Sequence, residues 1–237
     1  MNENYFEQLQ AVCKARGYRL EKKVRTGNAE HILFKVILNP QSNHGTLCIT
    51  AGIHGNEVSG PWAVLDFLKK YRSRPSDPRI IILPVLNPHG FLHDRRGNYS
   101  RFNLNRHFGE KPLPLETKII TGLLKKEKMD FFISLHEDDE KKGFYLYQYG
   151  KDNPLIGEIT AFLSQNATLC KERDIYGDTA EKGVIFQPKW DGSLEEWIYK
   201  RGRVNSVCLE IPDQLALKDR VAIVQRLLLK ITRSAGL

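Results

Sequence analysis

The chain has 237 residues, 41% hydrophobic and 27% charged, and no apolar run approaches the ~18–20 residues of a membrane helix. That composition excludes a disordered chain and is long enough to bury one full α/β core. Net charge is +8, but the lysine pairs at 22–23, 69–70, 125–126 and 141–142 are scattered and no arginine stripe is interleaved with aromatics, so nucleic acid is not an expected partner.

The opening stretch, residues 1–18, has the pattern of an amphipathic helix and lacks the apolar centre of a signal peptide. Apolar runs then recur, each followed by turn residues: 31–38, 46–51, 79–86, 130–135, 143–149 and 205–211. Helical patterns lie between or after them, over 58–72, 114–128, 153–165 and 216–235. In the first of these Val58, Trp62, Leu65 and Leu68 share a face. Strands alternating with helices predict a single α/β domain over 1–237, with a mixed, mostly parallel twisted sheet and helices on both faces. Cys13, Cys48, Cys170 and Cys208 form no C-x-x-C pair, and two of them sit inside apolar runs. Reduced core thiols and a cytoplasmic setting are expected.

In open α/β sheets, ligands bind outside the carboxyl ends of the strands. The run 46–51 is followed by His54 and Glu57, the run 79–86 by "NPHG" and Arg95-Arg96, and the run 130–135 by His136, while Glu210 closes 205–210. Two histidines and a carboxylate form a sensible zinc shell with one position left for water. Such a centre lowers the pKa of bound water to ~7 and polarises a carbonyl. A further carboxylate is needed as general base. No H-E-x-x-H helix pattern is present, so a helical zincin is excluded.

"HGNE" (54–57), "NPHG" (87–90), "RGNYSRFNLNRHF" (96–108), "SLHED" (134–138), "GSLEEW" (192–197) and "LEIP" (209–212) occur in an order that resembles the zinc carboxypeptidase family. The resemblance takes in its aspartoacylase and succinylglutamate desuccinylase branch and is strongest to short bacterial members, which include murein peptide amidases. It implies that His54, Glu57 and His136 hold zinc. It implies that Glu210 is the general base and that Arg96 faces the oxyanion, with Arg101 or Arg95 as alternatives. Asn105 and Arg106 would grip the substrate's carboxylate. The implied partner is a small peptide or an N-acyl amino acid with a free carboxylate.

Two positions depart from the family pattern. Asn103 stands where the family has an aspartate, and Phe186 is nearest to the place of a family tyrosine, for which Tyr176 or Tyr199 are alternatives. The run "EDDE" (137–140) reads as a solvated turn or as a selector for a cationic substrate. The expected activity is hydrolysis of an amide bond next to a free carboxylate. A carboxypeptidase or murein peptide amidase comes first, because no extra domain follows the closing helix. An N-acyl amino acid deacylase is the second enzymatic reading, and a basic nucleic-acid-binding module is the non-enzymatic one. The sequence does not indicate an oligomeric state.

Overall fold

Burial on both faces explains why the central strands read as unbroken apolar runs. The computed structural model describes residues 2–24, 32–109 and 113–234, so His31 and Ala235, at the ends of two expected segments, lie outside it. The strands are β1 (Arg19–Val24), β2 (Ile32–Leu38), β3 (Thr46–Ala51), β4 (Arg79–Leu83), β5 (Phe131–Asp138), β6 (Tyr145–Tyr149), β7 (Asp174–Ile175), β8 (Asp178–Glu181), β9 (Val184–Phe186) and β10 (Asn205–Pro212). Among the described residues they form one ten-stranded sheet in the order β1-β2-β4-β3-β5-β10-β6-β9-β8-β7. Its centre, β4-β3-β5-β10, is parallel, and its margins are largely antiparallel.

The helices are α1 (Tyr5–Arg16), α2 (Ser59–Lys70), α3 (Pro88–Leu92), α4 (Leu115–Leu124), α5 (Pro154–Asn166), α6 (Leu194–Gly202) and α7 (Leu217–Ile231). Leu47, Ile49 and Ala51 of β3 pack into a core shared with α1, α2, α5 and α7, while Cys48 belongs to a second core with α4 and α6. The alternation along β3 therefore puts one helical layer on each face. All four cysteines are buried and free. No described helix is long and apolar enough to cross a membrane.

The helical segments expected from sequence appear as α1, α2, α4, α5 and α7, with α5 displaced by one residue and the others shorter at their ends. β1, the short strands β7 to β9 and the helices α3 and α6 are additional.

Two glycines shape the sheet's rim. Gly52, at φ +61°, turns the chain off β3, a conformation that a Cβ disfavours. A Cβ on Gly55 would lie 2.0 Å from the Gly90 carbonyl carbon, so only glycine lets this turn press against α3. The ends of β3 and β4 are further joined by the Leu86 and Asn87 amides, which donate to Ala51 O at 3.0 Å and Gly52 O at 2.9 Å.

Candidate metal centre and active site

His54 and Glu57 sit on the turn between β3 and α2, closed by the Glu57 amide donating to His54 O at 3.2 Å. His136 comes from β5 and Glu210 from β10, and the two are paired in register on adjacent parallel strands. Paired residues point to the same face of a sheet, so this register brings both side chains to one cavity. The cavity measures about 460 Å³, and His54, Glu57, Arg96, Arg106, His136 and Glu210 line it.

Three side chains converge in it. His54 Nδ1 lies 2.6 Å from Glu57 Oε1, and His136 Nδ1 lies 3.0 Å from Glu57 Oε2. All three side chains are buried, with ligand atoms within 4.8 Å of one another. Their outer nitrogens are turned elsewhere: His54 Nε2 meets Asn103 Oδ1 at 2.9 Å, and His136 Nε2 meets Glu195 Oε1 at 3.4 Å. Both Nδ1 atoms are thus aimed at one carboxylate. Glu57 Oε2 is buried and makes no well-directed hydrogen bond, despite its contact with His136. Two inward imidazoles and a carboxylate oxygen awaiting a partner fit a divalent cation of zinc's preferences.

The charges of Glu57 and His54 agree with that fit, whereas His136 is pushed the other way: burial lowers its pKa, but Cys208 and Glu57 raise it above the ordinary imidazole value. Burial alone would raise the Glu57 pKa, but His136 and His54 hold it well below the usual carboxylate range. Burial lowers the His54 pKa, which favours the neutral imidazole that a metal requires. Glu210 is part-exposed and accepts from Cys208 Sγ at 3.4 Å. Burial, with Glu57 adding to it, pushes its pKa up to about 7 against the opposing pull of His136.

The arginines divide. Arg96 Nη1 donates to Glu57 Oε1 at 2.9 Å from a half-exposed side chain. Asn87, the buried cap of α3, holds this segment by donating to Arg96 O at 3.3 Å. Arg95 and Arg101 line a separate hollow with Gly97 and Asn98. Arg106 faces the cavity at 48% side-chain exposure and is ion-paired with Asp191 at 3.0 Å. Asn105 is buried and committed inward: its Oδ1 accepts from the Leu194 amide at 2.9 Å, and its Nδ2 donates to Glu195 at 3.2 Å.

Sequence reasoning missed Glu195, and it left the tyrosine open. Tyr176 lines the cavity and its hydroxyl donates to Asp138 at 3.0 Å, whereas Phe186 and Tyr199 are not among the lining residues. Nor is "EDDE" simply a solvated turn. Glu137 is half-buried and held between the Ser59 amide and Arg220 of α7. Asp138 accepts from Tyr145, Tyr176 and the Glu140 and Lys141 amides. Only Asp139 and Glu140 are exposed.

The sequence matches the succinylglutamate desuccinylase/aspartoacylase catalytic domain over residues 43–167, just over half of the chain. The chain belongs to that family. This desuccinylase/aspartoacylase member also resembles Carboxypeptidase SOL1 of Arabidopsis thaliana, at 24% identity over 192 residues. That match takes in 68% of this chain but only 38% of the plant protein. Among solved structures, a candidate metallopeptidase from Shewanella amazonensis superposes with a TM-score of 0.84 at 25% identity, covering 95% of this chain and 90% of that one. A second, from Shewanella denitrificans, gives 0.81 at 26%, covering 94% and 86%. A murein-tripeptide amidase from Escherichia coli shares the fold at 0.62 and 17%, covering 86% and 87%. The family member therefore has the zinc carboxypeptidase-like fold, shared with solved candidate metallopeptidases.

Proposed function

We propose that this chain is a zinc-dependent hydrolase that cuts an amide bond next to a free carboxylate. The observation that carries the reading is the convergence of His54 Nδ1, His136 Nδ1 and the Glu57 carboxylate beside Glu210. His54, Glu57 and His136 would hold the metal, which when bound supplies Lewis acidity and an acidified water. Glu210 lies in the same cavity with a pKa near neutrality, suited to take a proton from the attacking water and return it to the leaving amine. Arg96, on the open side of Glu57, presents a guanidinium to the developing oxyanion. Arg106 offers its fork to the substrate carboxylate, and Asn105 anchors that turn to the start of α6.

A peptide-type substrate, as for a carboxypeptidase or murein peptide amidase, is the first reading. An N-acyl amino acid is the second, favoured by the family match over residues 43–167. A panel of C-terminal dipeptides, the murein tripeptide and N-acyl amino acids, run with and without chelator, separates them. Hydrolysis of one class, abolished by chelator and restored by zinc, is the expected result. Turnover that is indifferent to chelator would sink the metal reading, and no turnover across the panel would sink the substrate class.

A further inference from the structure

The two imidazoles that point Nδ1 at Glu57 are backed by different chemistry. Behind His54, Nε2 meets the amide oxygen of Asn103 at 2.9 Å. Behind His136, Nε2 faces the carboxylate oxygen Oε1 of Glu195 at 3.4 Å. Either oxygen can accept the Nε2 proton and so leave the Nδ1 lone pair free. Only the carboxylate adds a negative charge, which raises the basicity of the ring and holds it more firmly.

Glu195 is 1% exposed, an unfavourable place for a carboxylate unless something nearby uses it. It lies in the first turn of α6, where the helix dipole favours an anion, but an exposed acid would serve that end as well. Asn105 grips Oε2 from Nδ2 at 3.2 Å, while its own Oδ1 takes the Leu194 amide at 2.9 Å. The carboxylate is therefore clamped at one oxygen, and the other is aimed at His136. That second oxygen and His136 Nε2 are both buried, and neither makes a well-directed hydrogen bond to any other group. A small adjustment of the ring closes the contact.

We infer that Glu195 is the positioning residue for His136: it takes the Nε2 proton and turns Nδ1 toward the centre shared with Glu57 and His54. This rests on the reading of those three residues as metal ligands. The carboxylate support that the family pattern would place behind His54 stands here behind its partner histidine, supplied by a different segment of the chain.

The test is zinc affinity, measured on the full chain by competition with a chromophoric chelator, together with the visible spectrum of the cobalt-substituted protein. Glu195→Ala is expected to weaken zinc by about 10- to 100-fold, and Glu195→Gln, which keeps shape and acceptor but loses charge, by roughly tenfold. Both should alter the cobalt spectrum, and Glu195→Gln should keep the far-ultraviolet circular dichroism of the parent even if the alanine variant folds poorly. In a His136→Ala background the Glu195 substitutions should cost no further affinity. Parent-like zinc affinity in Glu195→Gln would overturn the proposal. So would an equal loss with and without His136, which would mark a merely structural role, or unchanged affinity with an altered preference for cationic substrates, which would make Glu195 a substrate contact. Full zinc retention by His136→Ala alone would bring down the ligand reading itself, and the proposal with it.

Discussion

His136 and Glu210 are register partners on β5 and β10, so a metal-ligating candidate and a proton-transfer candidate are set side by side by backbone pairing alone. Glu210→Gln keeps the shape of the side chain but cannot take a proton. It is expected to lower kcat by about 10²–10⁴-fold while zinc stays bound. Steady-state kinetics with metal analysis of the same preparation check this. Near-normal turnover would move the role elsewhere, although Glu137 and Asp138, the neighbouring carboxylates, are already engaged by Arg220 and by Tyr145 and Tyr176.

One zinc per chain is expected, with His136→Ala losing most of it. Metal content after dialysis against a weak chelator gives the answer. A variant that keeps a full equivalent would remove His136 from the ligand set.

Arg106 carries a third prediction. Its guanidinium is half-exposed and already paired with Asp191, so water weakens what a substrate carboxylate gains there. Arg106→Ala should cost roughly 1–2 kcal/mol, about 5- to 30-fold in kcat/KM, on a carboxylate substrate and little on its amide. Asp191→Asn frees the guanidinium and should lower KM by roughly two- to fivefold, the worth of an exposed ion pair. If the Arg106→Ala losses are equal on acid and amide, carboxylate recognition lies elsewhere.

Away from the cavity, Glu127 tests the sheet's charge balance. Burial would raise its pKa, but Lys35 at 2.7 Å and Arg79 at 2.8 Å hold it below the ordinary carboxylate value. A depressed native pKa stabilises the fold above the unfolded value of about 4.5, and that contribution is lost as pH falls through the native pKa. Glu127→Gln should therefore lower the thermal midpoint at pH 7, and its gap from the parent should close as pH is taken down through 4.5 toward 3. A gap that is constant with pH would assign the effect to packing rather than charge.

The clustering of His54, Glu57 and His136 was legible because His54 and Glu57 stand three apart just after an apolar run, and His136 follows another. Fold class was legible for a related reason: parallel strands buried on both faces are long apolar runs that stand out from amphipathic helices. What stayed hidden was short or contradictory. In β1 the charges of Arg19, Glu21, Lys22 and Lys23 mask the alternation, and β7 to β9 are 2 to 4 residues long, too few to show a period. A signal for α6 was present in Ser193 and Glu196, three apart, and the Ser193 hydroxyl does accept from the Glu196 amide at 3.3 Å. Glu195 gave no such sign, because an acid in a first helical turn is ordinarily solvated, and only tertiary placement buries this one. The commitment of Asn105 to α6 was equally invisible, since its partners are about 90 residues away.

β10 lies between β5 and β6, which precede it by more than fifty residues. During synthesis, then, two strands wait with bare edges for a third that has not yet been made. Until residues 205–212 arrive, β5 has no neighbour on that side, and His136 stands at an open margin without Glu210 beside it. The strand that fills the middle of the sheet is the last one made. Ribosome-bound chains halted near residue 200 should therefore be protease-sensitive around β5 and unable to retain zinc, and both properties should change together once β10 is free to insert.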